Sequence, residues 1–210
     1  MTEDTMSSEE FWDTRYGGSG RIWSGNPNVI LVREVTGLEP GSALDLGCGE
    51  GADAIWLARQ GWRVTATDIS LVALDRAALQ AEAEGVADLV DWRHHDLGVS
   101  FPDGEFDLVS AHFLHSPMEM PREQILRSAA AAVAPGGTLL IVGHAGPAPW
   151  DHDHAHMVLP TPEEVLESLR LPDGRWEVLL CEEHERLQTA PDGTLATRTD
   201  NVLKVRRLSE

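Results

Sequence analysis

Two periodicities alternate along most of this chain. Short apolar runs at 42–47, 63–69, 89–97, 106–113, 138–144, 176–182 and 201–208 have the length and composition of strands. Between them, small and apolar side chains return at helical spacing. One helical segment opens after Gly51, presents Ile55, Leu57 and Ala58, and ends at Gln60-Gly61, where Gly61 suits a left-handed C-cap. A second starts from Ser70 as N-cap, repeats Leu71, Leu74, Ala78 and Ala81, and stops at Gly85. A third, rich in alanine, covers about 121–133 and halts at Pro135-Gly136-Gly137. A fourth opens at Thr161, with Pro162 at the first helical position and Glu164 completing a capping box.

This alternation predicts an α/β fold with a mostly parallel sheet, five βα units followed by a pair of strands. The stretch 189–200 between the last two strands is polar and holds Pro191-Asp192-Gly193, a turn signal, so an antiparallel hairpin should end the sheet. Residues 42–210 form the predicted core domain, and 1–41, with Phe11, Trp12, Tyr16 and Trp23, a helical lid. No repeat, heptad or low-complexity tract is present.

Charge narrows the function classes. Lys and Arg number 16 against 35 Asp and Glu, a formal net charge of -19. Such a surface repels phosphate backbones and anionic lipid, which argues against nucleic-acid and membrane partners and for a small-molecule acceptor. No apolar run approaches a membrane span. The acidic start MTEDTMSSEE is neither a secretory signal nor a transit peptide. Cys48 and Cys181 stand far apart, in no disulfide framework, so a cytoplasmic location is expected.

The strongest chemical signal is Asp45-Leu46-Gly47-Cys48-Gly49-Glu50-Gly51, a strand running into a glycine loop and then a helix. Glycine lets the backbone approach a ligand closely. A dinucleotide fingerprint would put the third glycine one residue later, and Glu50 would repel a pyrophosphate. With Asp45 adding a second carboxylate, the loop suits a ligand with an ammonium and no phosphate. Asp68, at the end of the second strand, stands where a ribose diol would be gripped, or caps the next helix. Asp96 could accept from an adenine amine, with Ile69 and Leu97 sandwiching the ring.

On these motifs, with Phe106-Asp107-Leu108-Val109 and Pro135-Gly136-Gly137, the chain resembles the class I S-adenosylmethionine-dependent methyltransferases over about 42–142. The resemblance implies a Rossmann-like, doubly wound, seven-stranded sheet with helices on both faces. It implies S-adenosyl-L-methionine as cofactor. Asp45, Gly47, Cys48 and Gly49 would hold the methionine part, Asp68 the ribose, Asp96 the adenine amine. Ala111 and His112 would lie beside the sulfonium, and Arg15, Tyr16 and Trp23 would close over the cofactor. The N-terminal aromatic stretch is also similar to that of thiopurine and tellurite methyltransferases.

The acceptor is less legible. In place of the polar-Pro-Pro-aromatic motif of amino-directed nucleic-acid enzymes the chain has Ser110-Ala111-His112-Phe113. Where metal-dependent catechol enzymes carry acidic strand ends it has His112 and His144. A hydroxyl acceptor needs a base, and histidine, with an ordinary pKa of about 6.5, serves near neutral pH. His144 is the favoured base for O-methylation of a sugar-like or aromatic metabolite, with His115 next and His112 third. Trp23 and Trp150 offer faces for such an acceptor. The run Trp150-Asp151-His152-Asp153-His154-Ala155-His156 reads as a solvated acidic loop or as a site for a divalent ion such as Mg2+. Rival readings are a sulfur- or tellurium-directed enzyme, a non-catalytic adenosyl-ligand binder, and an NAD oxidoreductase; a homodimer is compatible with all of them.

Overall fold

The computed structural model describes residues 6–18, 20–151 and 158–209. Its strands are β1 (Ser42–Leu46), β2 (Arg63–Asp68), β3 (Val90–His94), β4 (Phe106–His112), β5 (Val133–His144), β6 (Trp176–Thr189) and β7 (Leu195–Arg207). They form one seven-stranded sheet in the order β3-β2-β1-β4-β5-β7-β6. The first five run parallel, and β7 inserts antiparallel between β5 and β6. The helices among the described residues are α1 (Ser8–Gly17), α2 (Val29–Val35), α3 (Ala52–Arg59), α4 (Leu71–Ala83), α5 (Arg122–Ala131) and α6 (Pro162–Ser168).

Side-chain alternation along β1 builds both layers. Ala43 faces a buried cluster holding Ile30, Leu31 and Leu57 from α2 and α3. Leu44 and Leu46 face the opposite cluster, where Leu126 and Ala129 of α5 and Val165 of α6 pack. Each such leucine, wholly out of water, contributes roughly 1.5–3 kcal/mol. The expected caps are present: Ser70 Oγ accepts the Ala73 N–H, and Thr161 and Glu164 form a reciprocal capping box. No helix among the described residues is long and apolar enough to cross a membrane.

Three features depart from the sequence reading. The hairpin arms run to Thr189 and from Leu195, so most of the polar stretch 189–200 is strand. Most of its polar side chains stay at least partly exposed along an edge ribbon, while Asp200 is buried. Pro135-Gly136-Gly137 lies inside β5, where the register with β4 shifts between Phe106 and Leu108 and absorbs the extra residues. Finally, the β3-to-β4 connection, 95–105, contains no helix, because Gly98, Pro102 and Gly104 interrupt it. It turns instead at Asp96, whose carbonyl accepts the N–H groups of Val99 and Ser100.

Candidate functional site

The site begins where β1 ends. Gly47 and Gly49 have φ of 68 and 53, conformations that side-chain-bearing residues seldom adopt. Both are also closely covered. A Cβ on Gly49 would stand 2.9 Å from the Tyr16 hydroxyl, and one on Gly47 would stand 2.6 Å from Leu114 Cδ1. Phe113, at φ 50 just past β4, turns the chain so that Leu114 lies over the loop.

Carboxylates gather under the loop. Asp45 is 2% exposed; its Oδ1 accepts the Ser110 hydroxyl at 3.0 Å, and its Oδ2 has no partner. Burial, then the charge of Asp53, push its pKa up. Asp68 Oδ2 accepts the Gly49 N–H at 2.8 Å and Oδ1 the Ser70 N–H at 2.9 Å. Asp68 thus joins the loop to α4, and its pKa too is raised by burial. His112 Nδ1 lies 2.7 Å from Asp53 Oδ2, while its Nε2 is buried without a partner. Cys48 gives its N–H to the Thr67 carbonyl, and burial keeps its thiol protonated far above the usual range, so it is no nucleophile.

The N-terminal segment is fastened over this floor. Trp23 Nε1 donates to the Tyr16 hydroxyl at 3.0 Å, above Gly49. Burial first, then the charge of Asp68, raise the Tyr16 pKa, which keeps it a neutral phenol. The Glu50 carboxylate accepts the Ile22 and Trp23 N–H groups on one oxygen and Arg76 on the other. The Glu50 carboxylate thus fastens this segment to the loop and α4. Arg76 also donates to the Gly18 and Gly20 carbonyls, and Asp13 accepts from Ser70 at the head of α4. Arg15 stacks over Trp12 and Trp23 at 5.9 and 5.7 Å.

On the adenine side the candidates are more scattered. Ile69 is half-buried, and its carbonyl lies 2.9 Å from His94 Nε2. Leu97 packs against the second core cluster. Asp96 is exposed and closes its own turn on the Gly98 N–H. Ala111 is buried within β4, paired with Leu46 and Ile141.

A second cluster lies at the end of β5. His144 Nδ1 is 3.1 Å from Asp200 Oδ1, and Arg186 Nε donates to Asp200 Oδ2 at 2.5 Å. His144 stacks on Phe113 at 4.3 Å and faces His115 at 5.8 Å. Burial lowers the His144 pKa despite Asp200, and burial followed by the charge of Arg122 takes His115 down to about 4. Burial opposes ionisation of Asp200, but hydrogen bonds from His144 and Arg186 hold its pKa below the ordinary range. His115, Arg122, Gly143, His144 and Asn201 line a small cleft here. In the parallel ladder Leu46 pairs with Ala111 and Ala111 with Ile141, so the ends of β1 and β5 are two strand spacings apart, roughly 10 Å.

No group of three metal-binding side chains occurs among the described residues. Most of the candidate divalent-ion run, 152–156, lies outside the described residues. Sequence reasoning missed Asp13, Asp53, Arg76, Leu114, Arg186 and Asp200. Asp13 stands within the N-terminal aromatic stretch but was given no role; the others sit in no motif and reach the site through tertiary pairing.

The floor of the first cluster fits a cationic amino-acid nucleoside. Asp45 offers an unpartnered buried oxygen, and at Gly47 and Gly49 the backbone is bare of side chain beneath Leu114 and the Tyr16 hydroxyl. Each Asp68 oxygen, with one backbone N–H, keeps capacity for a hydroxyl donor.

Residues 43–137 match a family model described as a methyltransferase domain. Methyltransferase GfsG of Streptomyces halstedii is 37% identical over 101 residues, 47% of this chain and 36% of that protein. The ribosomal RNA small subunit methyltransferase C of Chromohalobacter salexigens is 31% identical over 135 residues, 61% of this chain and 39% of that protein. The chain therefore spans less than two fifths of the length of these curated relatives. A solved structure described as "Conversion of a Disulfide Bond into a Thioacetal Group during Echinomycin Biosynthesis" shares the fold at TM-score 0.73 and 24% identity, over 95% of this chain and 93% of that one.

Proposed function

We infer, for a chain that belongs to the class I S-adenosylmethionine-dependent methyltransferase superfamily, that it methylates a small-molecule hydroxyl with His144 as general base. The observation that carries the reading is the His144–Asp200 pair at the end of β5, two strands from the glycine loop.

When bound, S-adenosylmethionine supplies a methyl group on a sulfonium and leaves as S-adenosylhomocysteine. Asp45 and the backbone at 47–49 would hold its methionine part, and Asp68 its ribose. Asp96, Ile69 and Leu97 would meet the adenine, Ala111 and His112 the region of the sulfonium. Tyr16 and Trp23 would keep water from the reacting atoms as residues 1–41 close over the loop.

The chain's own part in the chemistry is proton removal and alignment. His144 holds Nδ1 toward Asp200, and its Nε2 makes no hydrogen bond among the described residues. A neutral imidazole so oriented can take the acceptor's proton on Nε2, and Asp200, kept ionised by Arg186, stabilises the imidazolium that results. The small-molecule reading also rests on the net charge of -19, which disfavours a ribosomal RNA acceptor despite the relative that carries that name.

Calorimetric titration with S-adenosylhomocysteine tests the cofactor, and mass spectrometry of a hydroxylated acceptor library incubated with S-adenosylmethionine tests transfer. Tight binding of NAD in place of S-adenosylhomocysteine would refute the first. Methyl incorporation into RNA but into no small molecule would refute the second.

A further inference from the structure

The cleft beside His144 contains a cation with no counter-ion among the described residues. Arg122 opens α5 and is half-buried. Its Nε donates to the Leu114 carbonyl at 3.1 Å, and its terminal nitrogens make no hydrogen bond or ion pair among the described residues. Its neighbours differ. Arg186 is paired with Asp200, and Arg198 feels the charges of Asp200 and Asp151. Arg122 feels burial alone, which draws its pKa down with no carboxylate to offset it. A guanidinium stays charged even so.

A half-buried, unpaired charge is costly, and proteins seldom keep one without a partner. Here the terminal nitrogens are turned to the cleft. A Cβ on Gly143 would stand 3.7 Å from Arg122 Nη2 and 3.4 Å from His115 Nε2, so both groups border the same space. His115 Nε2 is buried and unpartnered too. With its pKa held near 4, His115 is neutral at pH 7, so it can present a single N–H there as a donor without adding charge. The space has room for little more than a water molecule, about 10 Å³. One carboxylate oxygen can take the place of that water, with the second oxygen and the remainder of the ligand in the open part of the cleft, toward His144.

We propose that this cleft binds the carboxylate of an anionic acceptor, forked by Arg122 and capped by the His115 imidazole, so that the acceptor's hydroxyl is presented to His144. A carboxylate matches the guanidinium fork in shape and in charge, one negative against one positive. It does so inside a protein whose net charge of -19 would otherwise repel it, which makes this half-buried guanidinium a selective filter for acids able to reach it. The proposal rests on the reading of His144 as the base of an acceptor site; the anion site itself is independent of turnover.

The test is therefore a binding experiment, with benzoate and its neutral isostere benzamide as probes and S-adenosylhomocysteine present. The imidazole resonances of His115 and His144 are followed by NMR. Benzoate should bind at least about 10-fold more tightly than benzamide and shift the His115 signals, and Arg122→Gln should abolish that preference. Arg122→Lys, which keeps the charge and loses the fork, should retain only part of it. Equal affinity for the two probes in the wild-type protein, or a preference that survives Arg122→Gln, would overturn the proposal; if Arg122→Gln does not fold, the wild-type comparison and its His115 shifts decide. Benzoate preference should persist in His144→Ala. Unchanged turnover in His144→Ala with benzoate preference intact would fault the base assignment alone, whereas turnover lost in His144→Ala with no benzoate preference in the wild-type protein would fault the anion site alone.

Discussion

Glu50 and Arg76 form a 3.0 Å ion pair that fastens the N-terminal segment to the glycine loop and α4 together. Glu50 is buried, and the same carboxylate accepts the backbone of Ile22 and Trp23. Glu50→Gln keeps the shape but replaces a charged acceptor by a weaker one and leaves Arg76 without its counter-charge. The expected loss is about 1–3 kcal/mol of stability. Hydrogen exchange should quicken at Ile22 and Trp23 while the amides of β1 and β4 stay protected. Unchanged exchange at 22 and 23 would mean that the ion pair does not hold the segment down.

Asp45 and the two cleft histidines make opposite contributions to pH dependence. The folded pKa of Asp45 lies above its unfolded value of about 3.9, so its stabilising contribution is complete in acid and is lost as pH rises through the folded value. Asp45→Asn should flatten that loss and leave the protein at least as stable at pH 7. It should also weaken S-adenosylhomocysteine by about 10-fold or more, since the unpartnered oxygen is gone. Stability and affinity that fall together would instead make Asp45 a structural residue.

His115 has the reverse sign. Its folded value of about 4 lies below the unfolded one, so its contribution is present above about 6.5 and is lost as pH falls toward 4. His144 is lowered in the same direction. In urea denaturation, His115→Gln should lose less stability, or gain more, than the wild-type protein on going from pH 7 to pH 5. An identical change in the variant would remove His115 as a contributor.

Asp68→Ala should cost both binding and stability. In sequence the residue had two readings, a ribose grip or a helix cap, and it is bonded to Gly49 and Ser70 at once. Alanine strands two buried N–H donors, worth about 1–3 kcal/mol each in an unrelaxed site. A lowered melting temperature together with weakened S-adenosylhomocysteine binding is expected. Unchanged affinity would mean that the ribose lies elsewhere.

Much of the fold was legible because it is written in local signals. Ser70 and Thr161 cap helices, the glycine loop follows an apolar strand, and β1 to β4 begin where the apolar runs begin or within a residue of it. The errors fall where tertiary pairing overrides local pattern. Residues 183–189 and 195–200 are polar, yet they pair residue for residue in a long ribbon. Asp200 lay in what reads as a loop, so its partnership with His144, made across β5 and β7, had no signal in one dimension. Asp53 was hidden similarly, as an ordinary first-turn acid of α3 that turns out to face His112. Most of the candidate cofactor residues could be named from sequence because they sit within a few positions of one loop and the strand ends.

The proposed role of His144 as a base depends on the nucleophile that the acceptor presents. If the acceptor is a hydroxyl, its proton must leave as the bond to carbon forms, and removing the base should lower turnover by about 10²–10⁴-fold. Asp200→Asn should produce a smaller loss of the same kind, because it leaves the imidazole in place and weakens only the group that steadies its positive form. In the wild-type protein kcat/KM should rise with pH through a value below about 6.5 and then level, since burial lowers the His144 pKa and only the neutral ring accepts a proton. A thiolate or tellurium acceptor makes no such demand, so nearly unchanged turnover in His144→Ala with a flat pH profile would point to that class instead. Steady-state rates of the two variants from pH 5 to 8, on whichever acceptor the mass screen finds, separate the cases. A His144→Ala enzyme as fast as wild type on a hydroxyl acceptor would leave the imidazole as a packing partner of Phe113 and move the search for the base to His115.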